Sequence, residues 1–151
     1  MHDAAALLYP QALATSITLP MEIMHAASQM ASVSGRSAAA VRFRLAGPDM
    51  KRMKLGSGVV LKPDIVRDDL PPLDLLLLPA IWRNPMPVVA TARAWLPLLR
   101  EQAALGATIC SVGTGSFLLA EAGLLNDRPA TTHWNYFRQF SKRYPAVELK
   151  T

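Results

Sequence analysis

Apolar positions along this chain fall into short unbroken runs separated by longer stretches with helical spacing. Ala4 to Tyr9 is an apolar run closed by Pro10, which predicts a buried strand ending at a turn. Thr18 is placed to cap a helix, Pro20 suits its first turn, and Glu22 falls where a carboxylate meets the positive end of the helix dipole. Ile23, Met24, Ala27 and Met30 supply one apolar face of that helix, and Ser34-Gly35 ends it. Val41 to Ala46 then alternates apolar residues with Arg42 and Arg44, the pattern of a strand with one wetter face.

Between Gly47 and Pro72, Gly56, Gly58, Pro48 and Pro63 surround short apolar pieces such as Val59-Val60-Leu61, which reads as a hairpin or an irregular excursion. Leu73 to Leu78 is almost unbroken and bounded by prolines, as a central parallel strand covered on both faces would be. Val88 to Leu105 has helical spacing and stops at Gly106. Ala107 to Val112 predicts a further strand, adjacent to Leu73–Leu78 and central with it. Gly113-Thr114-Gly115 then makes a tight turn into a helix over Ser116 to Ala122, ended by Gly123. This alternation predicts an α/β fold with a parallel sheet in three layers and a pocket at the carboxyl ends of the strands. No internal repeat, low-complexity segment or linker divides the chain, so residues 1–151 form a single domain in this reading.

Composition changes the picture only at its edges. At 151 residues with 51% hydrophobic and 18% charged positions, the chain has ample material for a packed core. The net charge of +5 comes from scattered basic residues, and the one local concentration, Arg42 to Lys54, reads as a solvated surface. With no recognition helix either, sequence-specific DNA binding by these residues is not expected. A single cysteine allows no intrachain disulfide, and the start MHDAAALLYP lacks the layout of an export signal. The run LDLLLLPAI is too short to cross a bilayer, so a cytoplasmic protein without membrane contact is expected.

Candidate chemistry gathers at the glycine turn. Backbone N–H groups at the start of the following helix suit a carboxylate or amide ligand. The turn is not a dinucleotide loop, because Leu118 occupies the third glycine position and His133 stands where an acidic ribose ligand belongs. Nor does Val-Gly-Thr-Gly-Ser present a serine nucleophile, and Thr114 and Ser116 are better explained by capping and turn hydrogen bonds. Cys110, three residues earlier between apolar neighbours, is expected to be buried, inert and slow to react. His25 lies three residues after Glu22 on one helix face, close enough to pair with it. No clustered Cys or Asp accompanies the histidines, so neither a metal nor any other cofactor is expected.

The stretch from Gly106 to Leu125, GATICSVGTGSFLLAEAGLL, followed by Arg128 to Trp134, RPATTHW, resembles the ThiJ/PfpI branch of the class I glutamine amidotransferase-like superfamily. It is most similar to the N-terminal domains of AraC-family transcriptional regulators. Leu7-Leu8-Tyr9-Pro10 and Leu19-Pro20-Met21-Glu22 match earlier parts of the same pattern. The resemblance implies a three-layer, flavodoxin-like parallel sheet, and it places Glu22 beside a sharp strand-to-helix elbow that carries a nucleophilic cysteine in enzyme relatives. Here the elbow position is Gly113, which keeps the turn and supplies no nucleophile. The resemblance therefore implies a pseudoenzyme whose pocket, formed by Glu22, Gly113, Thr114, Gly115 and His133, binds a small metabolite. It further implies a homodimer, and beyond Thr151 a final strand and helix and then a helix-turn-helix domain through which DNA is contacted. The competing expectation is a ThiJ/PfpI-type enzyme such as a hydratase, an amidase or a glyoxalase-like protein.

Overall fold

The computed structural model describes residues 2–35 and 40–151. Five parallel strands form the central sheet: β1 (His2–Leu7), β2 (Val41–Gly47), β5 (Ile65–Val66), β6 (Leu75–Leu78) and β7 (Thr108–Ser111), in the order β5-β2-β1-β6-β7. Between β2 and β5 the predicted excursion is an antiparallel hairpin of β3 (Met53–Lys54) and β4 (Val60–Leu61). The sheet's middle is apolar on both faces: Ala5, Ala6, Leu7, Leu76 and Leu78 are all fully buried. That is why β1 and β6 read as unbroken apolar runs.

Helix α1 (Thr15–Val33) joins β1 to β2, whereas α2 (Met86–Thr91) and α3 (Leu96–Ala104) join β6 to β7. The two crossovers run in opposite directions from the middle of the sheet, and right-handed connections then place α1 on one face and α2 with α3 on the other. Helix α4 (Ser116–Glu121) follows β7, and the chain continues through β8 (Pro129–Ala130), α5 (Phe137–Arg143) and β9 (Glu148–Leu149). Phe117 of α4 anchors this last segment. Its ring meets Phe140 at 4.9 Å and Tyr144 at 5.8 Å, both edge to face.

Four expectations are corrected. Helix α1 starts at Thr15, so Pro20 lies inside the helix, Thr18 is not a cap, and Glu22 is beyond the first turn. Ser16 fixes this earlier start, donating from Oγ to the Leu13 carbonyl at 2.6 Å and accepting the Ala80 N–H at 3.0 Å. The single helix expected over Val88–Leu105 is two, separated by a tighter turn at Ala92–Trp95. Pro97 enters the first turn of α3, where its missing N–H costs nothing.

Strand β7 does pair with β6, from Leu75↔Thr108 to Leu78↔Ser111, yet it is the edge of the described sheet rather than central. Cys110 is consequently exposed, not buried, because alternate side chains of an edge strand reach solvent. Among the described residues no helix is long and apolar enough to cross a membrane.

Candidate functional site

Sheets of this kind bind ligands outside the carboxyl ends of their strands, where connections leave in opposite directions. Here that point lies between β1 and β6, and a cleft of about 280 Å³ opens there. Leu13 after β1, Ala80 to Arg83 after β6, and Gly113 with Thr114 after β7 form three sides, while His133, Asn135 and Tyr136 close the fourth.

Hydrogen bonds lace these loops together. Leu13 N–H donates to the Ala80 carbonyl at 2.8 Å and Trp82 N–H to the Gln11 carbonyl at 2.7 Å. Thr114 is buried, and its hydroxyl accepts the Ile81 N–H at 2.8 Å while donating to the Ile81 carbonyl at 2.9 Å. Ser116 Oγ donates to the Gly113 carbonyl at 2.9 Å. Both hydroxyls hold the turn in shape and neither is free to attack a substrate. The Tyr9 phenol donates to the Pro79 carbonyl, and burial pushes its pKa far above the usual range, so it remains neutral.

The glycine turn has two different physical requirements. Gly113 has φ of 49°, in the left-handed region, although a Cβ there would meet only Ala80 Cβ at 3.9 Å. Gly115 lies beneath the β6 loop, where a Cβ would fall 2.7 Å from the carbonyl oxygens of both Leu78 and Pro79. Gly113 thus faces open space at the place where the resemblance puts a thiol, and Gly115 gives the loops room to close.

Of the residues singled out in the sequence, Gly113, Thr114 and His133 border the cleft, and Gly115 supports it from beneath. Glu22 is elsewhere, in a shallow groove with Met21, His25, Val41 and Phe43, so its expected position beside the turn is corrected. The late appearance of Glu22 in α1 is the reason: the helix begins near the cleft at Thr15 and carries Glu22 away from it. His25 is bonded to Gln29, Nε2 to Nε2 at 3.2 Å, rather than to Glu22. His133 Nδ1 accepts the Asn135 N–H at 3.3 Å, and its ring stacks on Trp134.

Sequence reasoning missed Trp82, Arg83, Asn135 and Tyr136. Arg83 carries the strongest local signal, since its φ of 63° is unusual for a residue with a side chain. Its guanidinium is in no ion pair among the described residues. Only its place in Trp-Arg-Asn-Pro directly after a buried strand hinted at a loop with a task.

A larger cavity of about 470 Å³ lies between Pro10, Pro48, Pro87 and Trp95. Its one cation, Arg67, is already engaged, donating to Asp68 at 2.7 Å and to the Ala94 carbonyl at 3.2 Å, with Trp95 beneath it. The smaller cleft, with an unpaired arginine and the glycine turn, is the better candidate on chemistry. Among the described residues no group of His, Cys, Asp or Glu is arranged to hold a metal.

Residues 12–148 match the family model described as the DJ-1/PfpI family. The chain belongs to that family. This DJ-1/PfpI domain is 32% identical to isonitrile hydratase of Pseudomonas putida over 130 residues, which cover 86% of this chain and 51% of the relative. It is equally 32% identical to the HTH-type transcriptional regulator CdhR of Pseudomonas aeruginosa over 108 residues, 72% of this chain and 31% of the regulator. The domain thus spans about a third to a half of the length of these relatives. An AraC family transcriptional regulator from Pseudomonas putida shares the fold with a TM-score of 0.78 and 22% identity, covering 99% of this chain and 76% of that one.

Proposed function

We propose that this DJ-1/PfpI domain is a non-catalytic ligand-sensing and dimerisation domain of an AraC-type transcriptional regulator. The observation that carries the reading is Gly113: the position facing the cleft from the end of β7 has no nucleophile, while the loops around it remain tightly bonded. The ligand is a small carboxylate, or an amide of similar size. The unpaired Arg83 guanidinium meets the carboxylate, and Trp82 and Tyr136 contact the apolar remainder. A ligand that prefers one conformation of the 80–83 and 133–136 loops shifts its population, and a helix-turn-helix domain elsewhere in the full-length regulator reads the shift at DNA.

Similarity to isonitrile hydratase favours a second reading, a hydrolytic or hydrating enzyme. That reading needs a nucleophile in the cleft, beside which His133 could serve only as a base. The Thr114 hydroxyl is occupied by the Ile81 backbone, and Cys110 lies outside the cleft, so the sensor reading is preferred.

Thermal shifts across a panel of small carboxylates and amides test the proposal. A ligand at a hundredfold excess over Kd adds about 2.7 kcal/mol, or roughly 5–10 °C in a domain of this size. Arg83→Gln is expected to abolish the shift given by a carboxylate without changing the unliganded melting temperature. A panel with no stabilising member, or turnover of an isonitrile by the chain, would contradict the sensor.

A further inference from the structure

The cavity of about 470 Å³ opens at the same end of the sheet as the cleft. The five strands are parallel, and β1 continues into Tyr9 to Gln11, β2 into Pro48 and β5 into Arg67, all of which line it. The cleft lies over β1, β6 and β7 instead, so the Pro10–Leu13 loop is the wall between the two. The volume is that of a small-molecule site.

Several local features of the chain meet here. A Cβ on Gly47 would run into the Pro63 ring, so glycine is required where β2 turns into Pro48. Pro10, Pro48 and Pro87 give three rigid apolar walls. The tighter turn at Ala92–Trp95, between α2 and α3, lays the buried Trp95 indole in the fourth. Arg67 ties that turn down. Its Nη1 donates to the Ala94 carbonyl at 3.2 Å, and its guanidinium carbon lies 5.3 Å from the centre of the indole.

Charge decides what the cavity accepts. Arg67 donates from Nε and Nη2 to both oxygens of Asp68, at 2.7 and 3.2 Å. A free carboxylate would have to displace this neighbour in the chain, which is always at hand. Burial keeps the Tyr9 phenol neutral, and the Thr91 hydroxyl is turned back onto the Pro87 and Val88 carbonyls of its own helix. Donors remain even so. A guanidinium has five N–H groups, of which these bonds use three, and the side-chain amide of Gln11 at the exposed rim adds two more.

We infer that this cavity is a second small-molecule site, for a neutral ring compound bearing a carbonyl group. The ring lies against the prolines and Trp95, and the carbonyl oxygen accepts from Arg67 and Gln11. The inference goes beyond the sensor reading and does not depend on it, because the carboxylate site is on the other side of the Pro10–Leu13 loop.

Benzamide and benzoate are the matched probes, alike in shape but neutral and anionic. Each is titrated to about 10 mM, because a fragment of this size binds with a Kd of about 1 mM. The three tryptophans give three indole N–H resonances, of which Trp95 reports this cavity and Trp82 the cleft. Benzamide is expected to shift the Trp95 resonance along a saturating curve, and benzoate to bind there about tenfold more weakly or worse. Thr91→Phe, at an exposed lining position of α2, fills the cavity and abolishes the response. Gln11→Ala removes donors from the rim and weakens binding about threefold to tenfold. Circular dichroism verifies that both variants fold. A Trp95 resonance that ignores benzamide, answers benzoate equally well, or responds undiminished in either variant overturns this site. The sensor reading stands or falls on a different resonance, that of Trp82.

Discussion

Gly113 and Gly115 are two residues apart, yet the same substitution is expected to act differently at each. Gly113→Ala meets open space and left-handed backbone, so it should lower stability by about 1 kcal/mol in a denaturant titration and leave the fold intact. Gly115→Ala places a methyl against two carbonyl oxygens of the β6 loop, and it should cost about 3 kcal/mol or more or prevent folding. Cys110, exposed on β7, should react with a thiol reagent in the native state about as readily as in the unfolded chain. Protection on folding would show that something covers the edge. Asp3 gives a pH signature. The Arg42 guanidinium hydrogen-bonded to it at 2.8 Å, assisted by Arg44, holds its pKa below the usual carboxylate range against the opposing effect of partial burial. Its stabilising contribution is therefore complete above the unfolded value and is lost as pH falls through the lowered folded value. Asp3→Asn should flatten the acid limb of stability against pH, and an unchanged acid limb would show that these ion pairs contribute nothing. At this scale the glycine turn was legible because glycine leaves a mark wherever backbone is unusual or crowded. Arg83 and the tasks of Ser16 were not legible, because a loop arginine and a helix serine look alike whether or not they serve a cleft.

Among the elements, α3 and β6 depend on Gln102, a buried amide that accepts the Leu73 N–H at 3.0 Å and donates to the Pro71 carbonyl at 3.0 Å. Gln102→Leu keeps the volume but strands both backbone groups, and is expected to cost about 2–3 kcal/mol in a denaturant titration. A neutral result would mean that water or a rearranged loop satisfies them. Phe117→Ala, at the centre of the aromatic cluster under α5, should cost about 3–5 kcal/mol and loosen the segment that carries His133 and Tyr136. The strands β1, β2 and β6 were legible because each presents enough consecutive buried or alternating positions. The start of α1 was not: Thr18-Leu-Pro-Met-Glu carries every local signal of a helix start, and Ser16 overrides it through one bond to the nearby Leu13 carbonyl and one from Ala80, distant in sequence. The break at Ala92–Trp95 preserves helical spacing, so apolar periodicity alone could not reveal it.

At the scale of the molecule, strand and helix alternation was sufficient for the parallel α/β architecture that the DJ-1/PfpI match bears out. Strand order was not so readable. Ile109 and Val112 made β7 resemble a central strand, whereas Thr108 and Cys110 between them mark the exposed edge. The glycine turn survived this error because it depends on the end of β7, not on what lies beside it. The cleft between the β1, β6 and β7 loops is proposed to bind a ligand without transforming it. Its most direct test follows backbone amide resonances of the chain as it is titrated with the carboxylate that stabilises it best. Shifts confined to residues 80–83, 113–114 and 133–136, with the ligand recovered unchanged, are the predicted result. Shifts gathered instead around Pro10, Pro48 and Trp95, or conversion of the ligand during the titration, would contradict it.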